Sequence, residues 1–429
     1  MRLPTTIVAT LVLCLAADAR AGVGDTTRGL EIYFIDTEGG AATLVVTPAG
    51  ESILVDCGNP GTRDADRIHA AAQTAGLKAI DHLIITHWHL DHYGGIARLS
   101  ELMPIHHYYD HGIPHSLAED PQNFPLLIQA YKKAAADKRR TLKPGDEIAL
   151  KQNDGSPRIG LRCLCGGGEV IPDKDGAPAN PIAPEHKPQP EDKTDNARSL
   201  GFLLSYGGFR FLDLGDLTWN VEVKLVSPSD KVGPVDVYQV THHGLEISNN
   251  PVLIKTVRPR VAICGNGARK GANPGVISTL RRVPDMQAIY QLHRNVTSEP
   301  QDNTDPDLIA NAEEKCQGEL IKLSVAPDAK SYTVTVGGKG RPKRFETRMR
   351  MQTSLPQNPQ EVANVEKVTL IAASGKHSFQ DPSQILQTKL DTLVTMEFEA
   401  NTALVDALTH IIKKYGVNVL IDTEAFKAD

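Results

Sequence analysis

The sequence predicts an α/β protein, and three observations favour this class. Short runs rich in β-branched residues alternate with a stretch of helical spacing early in the chain. Clusters of His and Asp follow directly after several of these runs, as binding residues do in layered α/β folds. The chain of 429 residues is 40% hydrophobic and 23% charged, which is enough for a sizeable core and for two or three domains.

The first elements are strands and one helix. β-rich runs separated by the turn signals Gly39-Gly40 and Pro48-Ala49-Gly50 predict strands, and a single apolar face predicts a helix. In chain order, these are strands at 32–35, 43–46 and 52–55, a helix over 64–75, and a buried strand at 80–85.

The later elements are mostly strands. Segment 166–195 carries six prolines, which predicts a long irregular loop, either a functional lid or a disordered insertion. After it we predict strands at 200–204 and 209–213, a helix over 220–226, strands at 235–240, 261–264 and 288–290, and a closing hairpin at 320–325 and 331–336.

The stretch His87-Trp88-His89-Leu90-Asp91-His92 follows the strand at 80–85 and concentrates metal-binding groups. Imidazole nitrogen and carboxylate oxygen are common ligands of zinc and similar metals. His87 and His89 can bind one ion, and Asp91 and His92 can bind a second. Two ions roughly 3.5–4 Å apart form a hydrolytic site. Ordinary core or surface histidines are the alternative, which this spacing of four ligand-type residues disfavours.

Two later motifs supply the groups that such a site still needs. Gly215-Asp216 follows the strand at 209–213, and its carboxylate could bridge two ions. His242-His243-Gly244 follows the strand at 235–240 and offers two imidazoles. Each motif alone is weak, because an isolated Gly-Asp is usually a turn, but their order after the six-residue motif favours one common site.

These motifs, together with Leu54-Val55-Asp56-Cys57-Gly58, resemble those of the metallo-β-lactamase superfamily. Segment 34–44 resembles the opening of the extracytoplasmic hydrolase domain of ComEC-type competence proteins. The resemblance covers about residues 30–340. It implies a four-layer αββα sandwich over residues 22–348 and a metal-dependent hydrolase with two divalent ions. Zinc is the expected metal, with manganese as an alternative.

The resemblance also implies a role for each site residue. The ligands would be His87 and His89 for metal one, Asp91, His92 and His243 for metal two, and Asp216 bridging both. Asp91 would also hold the nucleophile in line, and Asp56 would orient a ligand histidine. His242 would be a proton donor or a substrate contact, although His242 and His243 could exchange roles.

One departure from the superfamily concerns metal one. Many members supply a third histidine to this ion, but the corresponding stretch 195–200 contains none. Asp195 or Asn196 would then be an oxygen ligand, and His111 or His186 is a conceivable substitute. His111 follows a strand-like run and could line the pocket, whereas His186 lies in the proline-rich loop.

The expected substrate is a phosphoester, of the phosphodiester type. The ComEC-type resemblance implies it, and Arg269 and Lys270, in a glycine-bearing loop, suit phosphate oxygens unless the loop is a solvated turn. A carbonyl ester, lactone or β-lactam is the alternative substrate. The formal net charge of −6 argues against binding of nucleic acid through bulk positive charge.

Targeting signals predict an exported protein. Arg2, an apolar run over 7–17 and the small-x-small pattern Ala19-Arg20-Ala21 indicate that residues 1–21 are a secretory signal peptide. We therefore expect a periplasmic or secreted protein, with no transmembrane segment in the mature chain. Five cysteines remain after cleavage, so at least one thiol is unpaired, and a disulfide between Cys264 and Cys316 is one open option.

The C-terminal part is predicted to be separate. Residues 349–384 suit a linker, and residues 385–429 suit a small β-α-β module. Leu404-Val405-Asp406-Ala407-Leu408 and 416–422 resemble the short N-terminal modules of secretins and TonB-linked receptors. That resemblance implies a protein partner in the periplasm, which would make the protein an interaction component as well. An appendage packed on the main domain is the alternative.

Overall fold

The computed structural model describes residues 28–348 with the exception of residue 339. The predicted signal peptide, linker and C-terminal module all lie outside the described residues, and so does any contact that the module makes with a partner. Within the described part, no helix has the length and apolar character needed to cross a membrane.

The described residues form two mixed β-sheets. The first contains, in spatial order, β18 (Lys343–Glu346), β17 (Ser331–Val336), β16 (Ile321–Val325), β1 (Leu30–Phe34), β2 (Thr43–Val46), β3 (Ser52–Val55), β4 (Ile80–Ile84), β5 (Ile105–Asp110) and β6 (Arg139–Thr141). The second contains β15 (Ile309–Asn311), β14 (Ala288–His293), β13 (Val261–Cys264), β12 (Val237–Val240), β11 (Phe209–Asp213), β10 (Gly201–Tyr206), β8 (Ile159–Gly166) and β7 (Glu147–Ile148), with β9 (Glu169–Val170) paired to β8.

Helices cover the outer face of each sheet. They are α1 (Arg63–Thr74), α2 (Leu90–Tyr93), α3 (Ile96–Leu102), α4 (Phe124–Ala135), α5 (Trp219–Glu222), α6 (Pro251–Val257) and α7 (Pro274–Arg281). Ile68 of α1 and Leu99 of α3 belong to the apolar cluster on the first sheet, and Leu253 of α6 and Ile277 of α7 to the cluster on the second.

A third cluster, which includes Phe34, Phe202 and Ile263, fills the space between the sheets. Every residue of β2, β3 and β13 is buried, because both faces of these strands are covered. Each buried Leu, Ile or Phe side chain stabilises the fold by roughly 1.5–3 kcal/mol relative to exposure. The architecture is therefore the predicted four-layer αββα sandwich.

The proline-rich segment 166–195 is an ordered part of this domain. Apart from β9 and one 3-10 turn at Ala183–Glu185, it is irregular, as predicted. Asn180 Nδ2 donates to Val226 O at 2.7 Å, and Trp219 Nε1 donates to Lys187 O at 2.9 Å. These bonds hold the loop against the layer that contains α5 and α6.

All five cysteines of the described part are free thiols. Cys264 is buried within β13, whereas Cys316 is half-buried beside Asp36. The disulfide between Cys264 and Cys316 that the sequence left open is therefore not formed.

Candidate metal centre

The site forms where parallel strands of both sheets end. β3 and β4 are parallel in the first sheet, and β11 and β12 are parallel in the second. The carboxyl ends of parallel strands lie at one edge, which brings the segments that follow these strands together. Gly215 permits a close approach between the two sheets: its φ is +54°, and a Cβ there would lie 2.9 Å from Thr86 Cβ.

Asp216 lies at the centre of the site. Its Oδ2 is 3.2 Å from His92 Nε2 and 3.3 Å from the Nε2 atoms of both His242 and His243. His87 Nε2 is 4.0 Å from the same oxygen. A single carboxylate oxygen therefore faces four imidazoles, as expected for a residue that bridges two ions.

Asp91 provides the second carboxylate of the site. Its Oδ2 lies 3.4 Å from His243 Nε2 and 3.7 Å from His92 Nε2. The structure therefore brings both metal-two imidazoles predicted from the sequence to this carboxylate.

The buried imidazoles fit a divalent cation. The Nε2 atoms of His87, His92 and His243 are buried and have no hydrogen-bond partner among the described residues, although buried polar atoms are normally paired. These nitrogen atoms converge on carboxylates, and imidazole nitrogen and carboxylate oxygen are groups that bind zinc. Of the three groups of described residues whose ligand atoms lie within 4.8 Å of one another, two belong to this site: His87, His92 and Asp216, and Asp91, His92 and His243.

Hydrogen bonds through Nδ1 set the orientation of the rings. His92 Nδ1 is 2.7 Å from Asp56 Oδ2, and Asp56 also accepts from Thr86 N at 2.8 Å. The structure thus places Asp56 against His92, one of the predicted ligand histidines.

The two imidazoles after β12 are anchored in the same way. His242 Nδ1 is 3.1 Å from Ser248 Oγ, and His243 Nδ1 is 3.0 Å from Gly265 O. Both histidines have φ of 54°, a left-handed conformation that costs of order 1–3 kcal/mol per residue. Sequence reasoning missed Ser248 and Gly265, because neither belongs to a ligand motif.

The carboxylates of the site are held in their ionised form. Burial alone would raise the pKa of Asp216, but the neighbouring His242, His243 and His92 outweigh it and hold this pKa well below the ordinary value. Burial is likewise outweighed at Asp91, whose pKa also lies well below the ordinary value because of His92, His243 and Lys270. Two ionised carboxylates are what a pair of cations requires.

Burial lowers the pKa of two histidines of the site. Burial and the neighbouring His92 lower the pKa of His87 well below its ordinary value. Burial lowers the pKa of His242 to about 4, despite the opposing effect of Asp216. Both predicted roles of His242, proton donor and substrate contact, remain predictions.

Asp195 and Asn196, the oxygen ligands predicted for metal one, differ in whether their side-chain oxygens already have hydrogen-bond partners. Asp195 Oδ2 accepts from Trp88 N at 2.8 Å and lies 3.0 Å from His111 Nε2, so this carboxylate and His111 hold each other. Asn196 Oδ1 is buried and has no hydrogen-bond partner in the described part of the chain. Of the two, Asn196 therefore has the free acceptor. His186 contacts Asn250 Nδ2 at 3.0 Å, and the structure does not bring it to the site.

Arg269 and Lys270, the two cationic residues of the glycine-bearing loop, contact different parts of the protein. Lys270 Nζ is 2.5 Å from Asp91 Oδ2, so its ammonium group lies at the metal centre. Arg269 forms a bidentate pair with Glu314, with distances of 2.6 and 2.9 Å, on the exposed surface. Of the two residues predicted to bind phosphate, the structure therefore brings Lys270 to the metal centre and leaves Arg269 at the surface.

The segment that resembles the ComEC-type opening supports the same loops. Asp36 Oδ1 is 2.7 Å from His293 Nε2, and Asp36 Oδ2 is 2.9 Å from Arg67 Nη1. A few residues on, Ala41 N donates to Asp91 O at 3.1 Å. The guanidinium of Arg67 neutralises the carboxylate of Asp36. Together, these contacts anchor the loop between β1 and β2.

A buried acid supports the loop that carries His242. Glu222 is fully buried, and one of its oxygens accepts from Asn250 N at 2.7 Å. Burial raises the pKa of Glu222 from 4.5 to about 7. This group therefore stabilises the fold fully below pH 4.5, and its contribution is lost as the pH rises to about 7.

Glu222→Gln removes this ionisation while keeping an acceptor for Asn250. We expect the unfolding free energy of the variant, relative to wild type, to increase with pH between 4.5 and 7. The slope should reach at most roughly 1.4 kcal/mol per pH unit. Urea unfolding at several pH values measures it, with the exposed Glu101→Gln as control. A difference that stays constant with pH would contradict the assignment.

Comparison with known proteins decides the family. A family model described as the metallo-beta-lactamase superfamily matches residues 35–265. The chain belongs to this superfamily. Members of this superfamily are metal-dependent hydrolases, and the His/Asp clusters of the described residues match that chemistry.

Individual relatives are more distant. Lactamase-like protein notP of Aspergillus sp. (strain MF297-2) is 37% identical over 65 residues, which cover 15% of this chain and 20% of that protein. ComE operon protein 3 of Bacillus subtilis (strain 168) is 27% identical over 195 residues, 45% of this chain and 20% of that protein. The matches thus span only a fifth of either curated relative. A solved structure, a putative metal-dependent hydrolase from Parabacteroides distasonis ATCC 8503, is 16% identical, covers 61% of this chain and 92% of its own, and has a TM-score of 0.34.

Proposed function

We propose that this superfamily member hydrolyses phosphodiesters with two bound divalent ions, of which zinc is the first candidate and manganese the second. The observation that carries the proposal is the position of Lys270, whose Nζ lies 2.5 Å from Asp91 Oδ2. This places a cation beside the carboxylates of the metal centre, where a phosphate oxygen of a bound substrate would lie. Ammonium groups bind phosphate oxygens through charge-assisted hydrogen bonds.

His87 and His89 would hold one ion, Asp91, His92 and His243 would hold the other, and Asp216 would serve both. Two such ions activate water at neutral pH and stabilise charge on the attacking and leaving oxygens. The chain's own groups supply the rest. Lys270 would bind a non-bridging phosphate oxygen and release Asp91. His242, beside Asp216, would donate a proton to the leaving group or contact the substrate.

Similarity to ComE operon protein 3 supports the proposal, because it agrees with the resemblance of segment 34–44 to ComEC-type competence proteins. The five imidazoles and two carboxylates could equally serve a carbonyl substrate. The position of Lys270 favours an anionic one: once a cation takes Asp91, a phosphate oxygen would give the ammonium group a new charged partner, which a neutral lactone or ester would not.

The test is a substrate panel on the full mature chain. Metal-free protein is reloaded with Zn²⁺ or Mn²⁺ and assayed with bis-p-nitrophenyl phosphate, p-nitrophenyl phosphate, a neutral lactone and nitrocefin. We expect phosphodiester turnover that a chelator removes and either metal restores. Turnover of the lactone or nitrocefin without phosphodiester turnover would refute the proposed substrate class.

We also propose that the enzyme acts outside the cytoplasm, on the basis of the predicted signal peptide at 1–21. N-terminal sequencing of the protein from a periplasmic or culture fraction should give a chain that begins at Gly22. A chain that retains Met1 in the cytoplasmic fraction would refute export.

A further inference from the structure

One histidine of the metal centre is anchored differently from the others. His92, His242 and His243 use Nδ1 for the hydrogen bonds described above, and His87 Nδ1 is 3.1 Å from Thr86 Oγ1. These four rings present Nε2 to the carboxylates. His89 is the exception, because its Nε2 lies 3.3 Å from Glu119 Oε1.

This contact decides which nitrogen of His89 can bind a cation. A carboxylate oxygen accepts only from a nitrogen that carries hydrogen, so Nε2 bears the proton in the neutral ring. Nδ1 is then the nitrogen with the lone pair. The His89 and His87 rings are 4.7 Å apart between centroids, so His89 remains beside a ligand of the proposed first ion.

Glu119 is itself held in place. Its Oε1 also accepts from Asp195 N at 2.6 Å, and Asp195 accepts from Trp88 N, the peptide next to His89. These bonds link the segment before α4, the loop at 195–198 and the six-residue motif. The hydrogen bond from Asp195 N fixes the position of Glu119 Oε1. The same oxygen is then within reach of His89 Nε2 as an acceptor.

We infer that Glu119 is a positioning residue for the first metal ion. It holds His89 in the form with hydrogen on Nε2 and a lone pair on Nδ1, and it strengthens this ring as a ligand. The effect partly compensates for the histidine that is absent from 195–200. The inference rests on the proposed two-metal function.

The experiment measures metal binding rather than turnover. Metal-free full mature chain is titrated with Co²⁺ and Zn²⁺ against a competing chelator, with elemental analysis for stoichiometry. Glu119→Ala should weaken the weaker of the two sites by roughly 10–100-fold and leave the tighter site unchanged. Glu119→Gln should stay close to wild type, because an amide oxygen can accept both hydrogens.

Two controls separate the outcomes. Glu101→Ala, an exposed glutamate on α3, should bind metal as wild type does, and circular dichroism checks the fold of each variant. In the metal-free wild type, long-range ¹H–¹⁵N spectra should show His89 protonated at Nε2, a result independent of any variant.

Three results would overturn the inference: unchanged affinity in Glu119→Ala, equal losses in the Ala and Gln variants, or a His89 proton on Nδ1. Equal losses would mean that the charge of Glu119, rather than its acceptor oxygen, is required. Wild-type protein that binds no metal would instead refute the proposed function.

Discussion

Asp216→Asn is expected to lower kcat/KM by on the order of a thousandfold or more and to reduce the bound metal below two ions per chain. The physical reason is the convergence of four imidazoles on one oxygen of this carboxylate, at 3.2–4.0 Å. An amide carries no charge, so it cannot balance two cations. Losing several kcal/mol of charge stabilisation corresponds to about this factor in rate.

The measurement combines elemental analysis with steady-state kinetics on the same preparations. Asp137→Asn, at an exposed aspartate between α4 and β6, is the matched control and should retain both metal and activity. Thermal unfolding without metal checks that Asp216→Asn still folds. A folded variant that keeps two ions and wild-type turnover would show that Asp216 does not bind the metal ions.

The sequence predicted the buried strands best. Segments 43–46, 52–55, 209–213, 261–264 and 331–336 match strands of the structure residue for residue. They consist mainly of β-branched and aromatic residues bounded by turns, so local pattern and tertiary burial agree. By contrast, β14 continues past the predicted 288–290 to His293, because Gln291 and His293 are polar yet buried.

Polar core residues hide a strand because their partners come from elsewhere. His293 pairs with Asp36, and Gln291 Nε2 donates to Asn303 Oδ1 at 2.9 Å. Neither partner is recognisable from local sequence. The helix α4 was not predicted, although its buried residues Phe124, Ile128, Tyr131 and Ala135 have helical spacing.

The residues of the metal site also differ in whether local sequence could predict them. His87, His92, Asp91, Asp216 and His243 could be predicted because each belongs to a short motif at a strand end. Glu119 carries no such motif, and its contact with His89 spans 30 positions in the chain. Arg269 and Lys270 are adjacent in sequence but separate in space, because Glu314 draws the guanidinium to the surface. Orientation of this kind follows from tertiary contacts alone.

Lys270→Met is expected to lower kcat/KM for bis-p-nitrophenyl phosphate by roughly 10–100-fold, the usual cost of losing one hydrogen bond between charged groups. Methionine keeps most of the length of the side chain but removes the charge and the N–H donors. Metal binding should be retained or strengthened, because the ammonium group no longer competes for Asp91 Oδ2, now 2.5 Å away. Turnover of a neutral lactone, where detectable, should change little.

Arg269→Met is the matched control, since this neighbouring cation is already paired with Glu314 and 65% of its side chain is exposed. It should leave both kinetics and metal content unchanged. The comparison separates local charge from a specific contact: equal losses in the two variants would mean that the loop acts only through its overall positive charge. A fall in metal content in Lys270→Met would instead mean that Lys270 orients Asp91 for the cation, and the substrate contact would then have to be abandoned.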